Sequence, residues 1–372
     1  MNINQATEGF EAWLGEQLAA QGGLDSVALK LKHQAMKEDG AHAFLRATFY
    51  RWVQLWQETG IDGPKVLSVG DIHVENFGTW RDAEGRLVWG INDFDEVCGL
   101  PYTSDLVRLG VSARLATKEL KDFETSADDA SELILHGYTE SVRKPTTTPF
   151  VLVESHPELT RLAQEAFLAT PAEKFWNKKI KKTQPAGTVP AAARKLLEGA
   201  LPPGTTEVEF RKPVPDDPPG LGSRGKRRFY AFARWHGARV LREAKPVVPS
   251  ACAWATGATS APRIAELLKS PKRCPDPTQQ LRDGWIVRRM APDAVKIELI
   301  GLTGARATRR EEETLFESMG AELGRLHTGT IGGQLIAKDL ESKSSHNNGW
   351  FATAVKAWSK ALEQGQTDFN AS

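Results

Sequence analysis

Gly70-Asp71-Ile72-His73-Val74-Glu75-Asn76-Phe77-Gly78 is followed by Ile91-Asn92-Asp93-Phe94-Asp95-Glu96. The two stretches read as a strand end, a tight loop carrying Asp71, His73 and Asn76, a short hairpin, and a second carboxylate at Asp93. Apolar runs at Lys65–Val69 and Leu87–Ile91 lead into them. Phosphoryl transfer from a nucleotide uses this set of groups. One Asp orients and deprotonates the attacking hydroxyl, and an Asn with a second Asp holds the magnesium that neutralises the phosphates. The spacing from Asp71 to Asn76 is that of the protein-kinase catalytic loop, and Asp93 precedes Phe94 as the kinase metal Asp precedes Phe. Asp and Asn are also common in turns, where their side chains bond nearby backbone. Gly-Asp-x-His occurs in metal-dependent phosphoesterases too, but those need further His and Asp motifs for a two-metal site. No Gly-His-x-His follows here, and the other histidines are scattered singly. The combined spacing favours the kinase-like reading.

In that reading Asp71 is the general base or hydroxyl-orienting group. Asn76 and Asp93 ligate magnesium, and Asp95 binds a second metal or orders the loop. His73 fixes the catalytic loop by hydrogen bonds. Asp105, from the next helix, bonds the loop backbone, and Arg108 pairs with a local carboxylate or with substrate, the structural role being favoured. The expected cofactors are ATP and Mg2+. The expected acceptor is a hydroxyl of an unidentified small molecule or protein.

The chain has 372 residues and a net charge of +1, enough length and apolar content for one large or two moderate domains. A neutral balance points to neither nucleic acid nor an anionic membrane. Cys98, Cys252 and Cys274 lie far apart without metal-ligand spacing, and an odd, sparse set suits a reducing compartment better than a disulfide framework. The N-terminal residues carry acids and no continuous apolar core, so no secretory signal is read, and no run is long and apolar enough to span a membrane. A cytoplasmic location is the default expectation.

Helical spacing of apolar residues covers Phe10–Leu18, Leu24–Met36 and Ala41–Thr59. The aromatic stripe of the third (Phe44, Phe49, Tyr50, Trp52, Trp56) reads as core. Helices are expected at Thr103–Glu119, Glu124–Val142, Leu159–Leu168, Ala261–Ser270, Glu311–His327 and Asn348–Gln364. The lysines at 174, 178, 179, 181 and 182 read as a solvated helix face. Leu201–Gly222, rich in Pro, Gly and Asp, reads as a junction with a short strand at Glu207–Phe210. Arg227–Arg234 and Ala238–Ala244 then alternate as paired strands turning at Trp235-His236-Gly237. Gly284–Met290 and Ala294–Gly301 are expected as strands. The fold class is α+β with three parts. Residues 1–200 form a mainly helical catalytic lobe, 201–310 a β-rich nucleotide lobe, and 311–372 helices that return to the first lobe.

Gly220-Leu221-Gly222-Ser223-Arg224-Gly225 has the form G-x-G-x-x-G. A dinucleotide fingerprint would open a helix after a strand, whereas these glycines precede the β-like run Arg227–Ala233. A glycine loop beside strands and over phosphates is the kinase arrangement, so Gly220, Gly222, Ser223 and Gly225 are assigned to nucleotide. The cation on the following strand is Arg242 by spacing, with Lys245 as competitor, and Glu266 is a candidate for the acid that positions it. The nucleotide base would lie near Trp285–Met290. These segments follow the catalytic loop in the chain rather than preceding it. Moving everything after about residue 200 to the front restores the kinase order, because Met319-Gly-Ala-Glu-Leu-Gly-Arg-Leu-His327 has the look of the helix that precedes the catalytic loop in aminoglycoside and choline kinases. The expected fold is therefore a two-lobed, circularly permuted kinase-like one, a rearrangement that surface connections tolerate.

The segments GDIHVENFG, NDFDEVCGLPYTSDLVRLGVS, LGSRGKRRFY, REAKPVVPSA, IVRRM and GAELGRLHTGT together resemble a bacterial family known as domain of unknown function family 2252. The resemblance takes in most of Ala43 to Thr330. It implies a kinase-like two-lobed fold and a phosphotransferase, and it alone makes Arg46 a site residue. The chain departs from the family pattern at Phe44-Leu45-Arg46-Ala47, where Gly usually follows Arg. It departs again at Arg242-Glu243-Ala244, where Lys is usual, and at Ser104-Asp105, where Trp-Asp is usual. The Arg242 departure also motivates an alternative, a nucleotide-binding pseudokinase with a regulatory role. An AMP-transferring enzyme on the same fold is a further alternative.

Overall fold

The computed structural model describes residues 1–371 apart from 121–122, 147, 219, 298–306 and 348. The chain is a mixed α and β structure with antiparallel sheets. Strands β1 (Lys65–Ser68), β2 (Phe77–Arg81), β3 (Leu87–Ile91), β4 (Cys98–Pro101) and β5 (Phe150–Val151) form two small sheets around the Asp71 and Asp93 loops. Strands β6 (Thr183–Pro185), β7 (Thr206–Pro213), β8 (Phe229–Trp235), β9 (Ala238–Pro246), β10 (Gln280–Arg282) and β11 (Trp285–Met290) form a sheet of order β10-β11-β9-β8-β7-β6. This sheet takes in residues from 183 onward, ahead of the junction read at Leu201–Gly222.

The hairpins of that sheet follow from local chemistry. β8 turns into β9 through His236 (φ 47°) and Gly237 (φ 76°), and β10 into β11 through Asp283 (φ 52°) and Gly284 (φ 74°). Two consecutive residues at positive φ match the right-handed twist of paired strands. Alternation along β9 then divides its side chains. Ala244 faces helix Ala191–Gly199 and packs with Leu196, Leu197, Phe229, Trp285 and Val287. Glu243 and Lys245 face the other way.

The helical part is held by apolar faces. Helix Arg309–Thr328 opens with a Thr308/Glu311 capping box and lies along helix Ala127–Arg143. A Cβ at Gly137 would overlap the Glu317 carbonyl, and one at Gly320 would overlap the Ile134 carbonyl. Reciprocal glycines thus set how closely these helices approach. Trp52 and Trp56 stack against Trp358 of helix Trp350–Asn370, with the Trp52 and Trp358 rings 4.0 Å apart. Each such buried ring contributes on the order of 2–3 kcal/mol through area removed from water.

Three expectations are corrected. The aromatic helix 41–59 breaks at Thr48 into Gly40–Ala47 and Phe49–Trp56, because the Thr48 hydroxyl takes the Phe44 carbonyl at 2.7 Å. Its aromatic stripe is core as expected. Cys98 and Cys252 form a disulfide with Cα atoms 6.5 Å apart, joining β4 to helix Ala251–Thr256 across 154 positions. Residues 294–297 carry a single bridge, Lys296 to Gly78, in place of the strand read at 294–301; positions 298–301 lie outside the described residues. No helix among the described residues is long and apolar enough to cross a membrane.

Candidate active site

The Asp71 loop hangs from one fully buried carboxylate. Asp105, in helix Tyr102–Glu119, accepts from the Ser68 hydroxyl at 2.5 Å, the Val69 amide at 2.7 Å and the Gly70 amide at 3.1 Å. His327 Nε2 lies 3.1 Å from Asp105, and its Nδ1 lies 2.8 Å from the Tyr138 hydroxyl. The backbone-bonding role expected of Asp105 is what the geometry shows, and the C-terminal His of the LGRLH segment completes it. Gly70 (φ 82°) has no room for a Cβ, which would meet the Glu96 carbonyl.

The turn after Asp71 ties itself off. Asn76 Oδ1 accepts from the His73 amide at 2.6 Å, and His73 Nδ1 accepts from the Glu75 amide at 3.2 Å. Burial, with Arg46 next, holds the His73 imidazole well below its usual range, so it stays neutral and structural. His42, bonded to Ser112 at 3.0 Å, is pushed down to about 3 by burial and then by Arg46.

Asp71 itself pairs with Arg108, whose side chain is fully buried against the faces of Phe49 and Trp52 and donates to the Leu45 carbonyl at 2.9 Å. On the other side Gly222 comes so close that a Cβ would stand 2.8 Å from Asp71 Oδ2 and 2.9 Å from the Arg46 carbonyl. Burial raises the Asp71 carboxyl to about 7, against the opposing pull of Arg108 and with help from Glu96 and Asp93.

The second carboxylate stands in a cationic setting. Lys245 Nζ lies 2.8 Å from Asp93 Oδ1 and 2.6 Å from Asp95 Oδ1. Burial alone would raise Asp93, but Lys245, Arg288 and Lys296 outweigh it and hold the carboxyl far below its usual range. Lys226, directly after the glycine loop, reaches Glu96 at 3.4 Å. Glu243 accepts from Arg228 at 2.8 Å, Arg288 at 2.7 Å and the Tyr230 hydroxyl at 3.2 Å. Arg228 also donates to Ser223 Oγ at 2.5 Å, which ties the glycine loop to the sheet. Gly220 (φ 64°) lies against Ser223 and Arg228, and Gly225 (φ 103°) against Leu29.

Alternation on β9 therefore decides between the two candidate cations. Lys245 is in the site. Arg242 is on the opposite face, donating to the Ala200 carbonyl at 2.8 Å. Glu266 is bound to Arg263 at 2.6 Å and meets neither. Arg46 pairs with Glu75 at 2.8 Å. Lys226, Arg228, Glu243 and Arg288 escaped sequence reasoning. Cross-strand pairing brings two of them, Glu243 and Arg288, together, and a strict period-two reading of β9 would have flagged Glu243 with Lys245.

No group of three or more His, Cys, Asp and Glu side chains able to hold a metal ion converges among the described residues. The donors that suit a divalent cation are Asp93 and Asp95, whose oxygens already converge on one ammonium. Magnesium asks no more of a protein than one or two carboxylates when phosphates and water complete its shell. Apart from Lys245, the Asp95 carboxylate meets no hydrogen-bond donor among the described residues.

Residues 24–200 match the model of a family described as an uncharacterized protein conserved in bacteria, DUF2252. The match contains the Asp71, Asp93 and Asp105 segments and stops short of the glycine loop. No curated protein and no solved structure matches the chain.

Proposed function

We propose that this chain, whose residues 24–200 match the model of the uncharacterized bacterial family DUF2252, is a Mg-ATP-dependent phosphotransferase with a kinase-like, circularly permuted arrangement of its helical and β-rich parts. The observation that carries the reading is the opposite tuning of two partly buried carboxylates, of which Asp71 stands against Gly222 of the glycine loop. Asp71 sits at about 7, where a general base works best near neutral pH. Asp93 stays ionised among cations, as a metal-holding carboxylate must.

In the reaction the acceptor hydroxyl gives its proton to Asp71 as its oxygen bonds to the γ-phosphorus. The bond from that phosphorus to the β–γ bridging oxygen breaks, and ADP leaves with the electron pair. Arg108 holds Asp71 in place and steadies its anionic form. Lys245 and Lys226 are the cations that meet the phosphates, with Glu243 orienting Arg228 and Arg288 behind them. Asp93 and Asp95, with Asn76, would hold magnesium, which would neutralise charge on the β- and γ-phosphates.

A second reading, a nucleotide-binding switch without transfer, draws on the contact of Gly222 with Asp71. Titration calorimetry with ATP, with and without Mg2+, tests both readings without needing an acceptor. Magnesium-dependent binding is expected, followed by acceptor-dependent ADP release. Binding with no release across hydroxyl acceptors would favour the switch, and no binding under either condition would overturn both.

A further inference from the structure

A cleft of 360 Å³ opens beside the catalytic loop, lined by Asp39, His42, Arg46, Glu75, Glu119 and Arg224 together with Gly220 and Leu221 of the glycine loop. It does not hold Asp71, but it ends at the loop that does. Glu75 is four positions beyond Asp71, and Gly222, next after Leu221, stands against both Asp71 Oδ2 and the Arg46 carbonyl. A hydroxyl carried by an occupant of this cleft would meet Asp71 once Gly222 gives way. Gly220 and Gly225, at positive φ on either side, are where the loop can pivot.

The lining carries both signs of charge, and not all of it is used internally. Glu119 caps the helix Gly40–Ala47 through the His42 amide at 2.9 Å. Asp39 is the N-cap residue of that helix, yet its side chain makes no capping bond. Arg46 gives one nitrogen to Glu75 at 2.8 Å, and Arg224 gives one to the Leu31 carbonyl at 2.9 Å. The Nε of each of these arginines has no hydrogen-bond partner among the described residues. Arg46 and Glu75 are paired with each other, which leaves Arg224 and Asp39 as the guanidinium and the carboxylate of the lining open to a molecule with a carboxylate and an ammonium of its own. The volume lies at the small end for ligand sites, which suits an amino acid better than an oligosaccharide.

Resting on the phosphotransferase reading, we propose that this cleft is the acceptor subsite and that it takes a hydroxylated zwitterion of amino-acid size. Arg224 faces its carboxylate and Asp39 its ammonium, beside the Arg46–Glu75 pair.

The test uses the full chain and calorimetry with L-serine, L-threonine and L-homoserine, with kanamycin and glucose as polycationic and neutral controls. ATP binding is measured separately. At least one of the three hydroxy amino acids is expected to bind and to release ADP in the presence of Mg-ATP. Asp39→Asn should weaken that binding about tenfold and leave ATP binding unchanged, and Arg224→Gln should weaken it by a similar factor. Binding of none of the three amino acids, or binding and phosphorylation of kanamycin or glucose instead, overturns the assignment. Amino-acid binding without ATP binding would keep the cleft and retire phosphotransfer. ATP binding without amino-acid binding would do the reverse.

Discussion

Asp71 and Asp93 are both partly buried, with side chains 18% and 32% exposed, both paired with a cation, and shifted in opposite directions. Asp71 meets one guanidinium, Arg108, and two other acids, so burial prevails and its carboxyl rises to about 7. Asp93 meets Lys245, Arg288 and Lys296, and three cations overcome a burial cost of the same kind. Burial therefore does not set the direction by itself; the number and sign of the neighbours decide it. Under the proposed phosphotransfer, carboxylates pushed apart in this way would divide proton transfer from charge holding.

The sharpest way to break the comparison is to neutralise each carboxylate in turn. Asp71→Asn should cut turnover by about 10²–10⁴-fold while Mg-ATP binding persists. Asp93→Asn should abolish the magnesium dependence of binding in a protein that still folds. Calorimetry and ADP release on both variants give the readout, and matching effects in the two would dissolve the distinction.

Removing the cation from Asp71 comes next. The wild-type rate should climb with pH through about 7, since Asp71 accepts a proton only when ionised. Arg108 pulls that value down, so Arg108→Leu should move the acidic limb upward. It should also cost about 3–5 kcal/mol of stability by leaving a buried carboxylate unpaired, less whatever the carboxylate recovers by protonation. The pH–rate profile and a urea titration read the two effects, and an unmoved limb would deny Arg108 its role.

The smallest effects concern β9. Lys245→Gln should weaken ATP by roughly 1.5–3 kcal/mol, the range for a charged hydrogen bond. Arg242→Gln, three positions earlier, should leave affinity unchanged because its guanidinium points to Ala200. An equal loss in both would mean that strand alternation does not govern access to the phosphates.

What could be read from the sequence divides along the same line. The Asp71 and Asp93 motifs were legible because their residues are contiguous and keep their spacing. Helix Arg309–Thr328 and the β8–β9 hairpin were legible because their apolar periods and turn residues are strong. Arg242 misled because spacing was counted without asking which face each position takes. Arg288 reaches Glu243 across 45 positions and the Cys98–Cys252 bond spans 154, while Arg228 lies just before β8, where strand alternation does not assign its face. The break at Thr48 came from one hydroxyl competing for a helix carbonyl.

The support of Asp105 by His327 has a consequence for how the protein comes to be. Synthesis runs from the amino end, and the Asp71 loop leaves the ribosome long before the histidine that completes its anchor. Until residue 327 has emerged, and helix Arg309–Thr328 has docked on helix Ala127–Arg143, Asp105 holds the loop without its own partner. The segment that matches the family is in this sense an unfinished site. A chain stalled or clipped before helix Arg309–Thr328 keeps the bonds from Asp105 to the loop but lacks the His327 contact behind them.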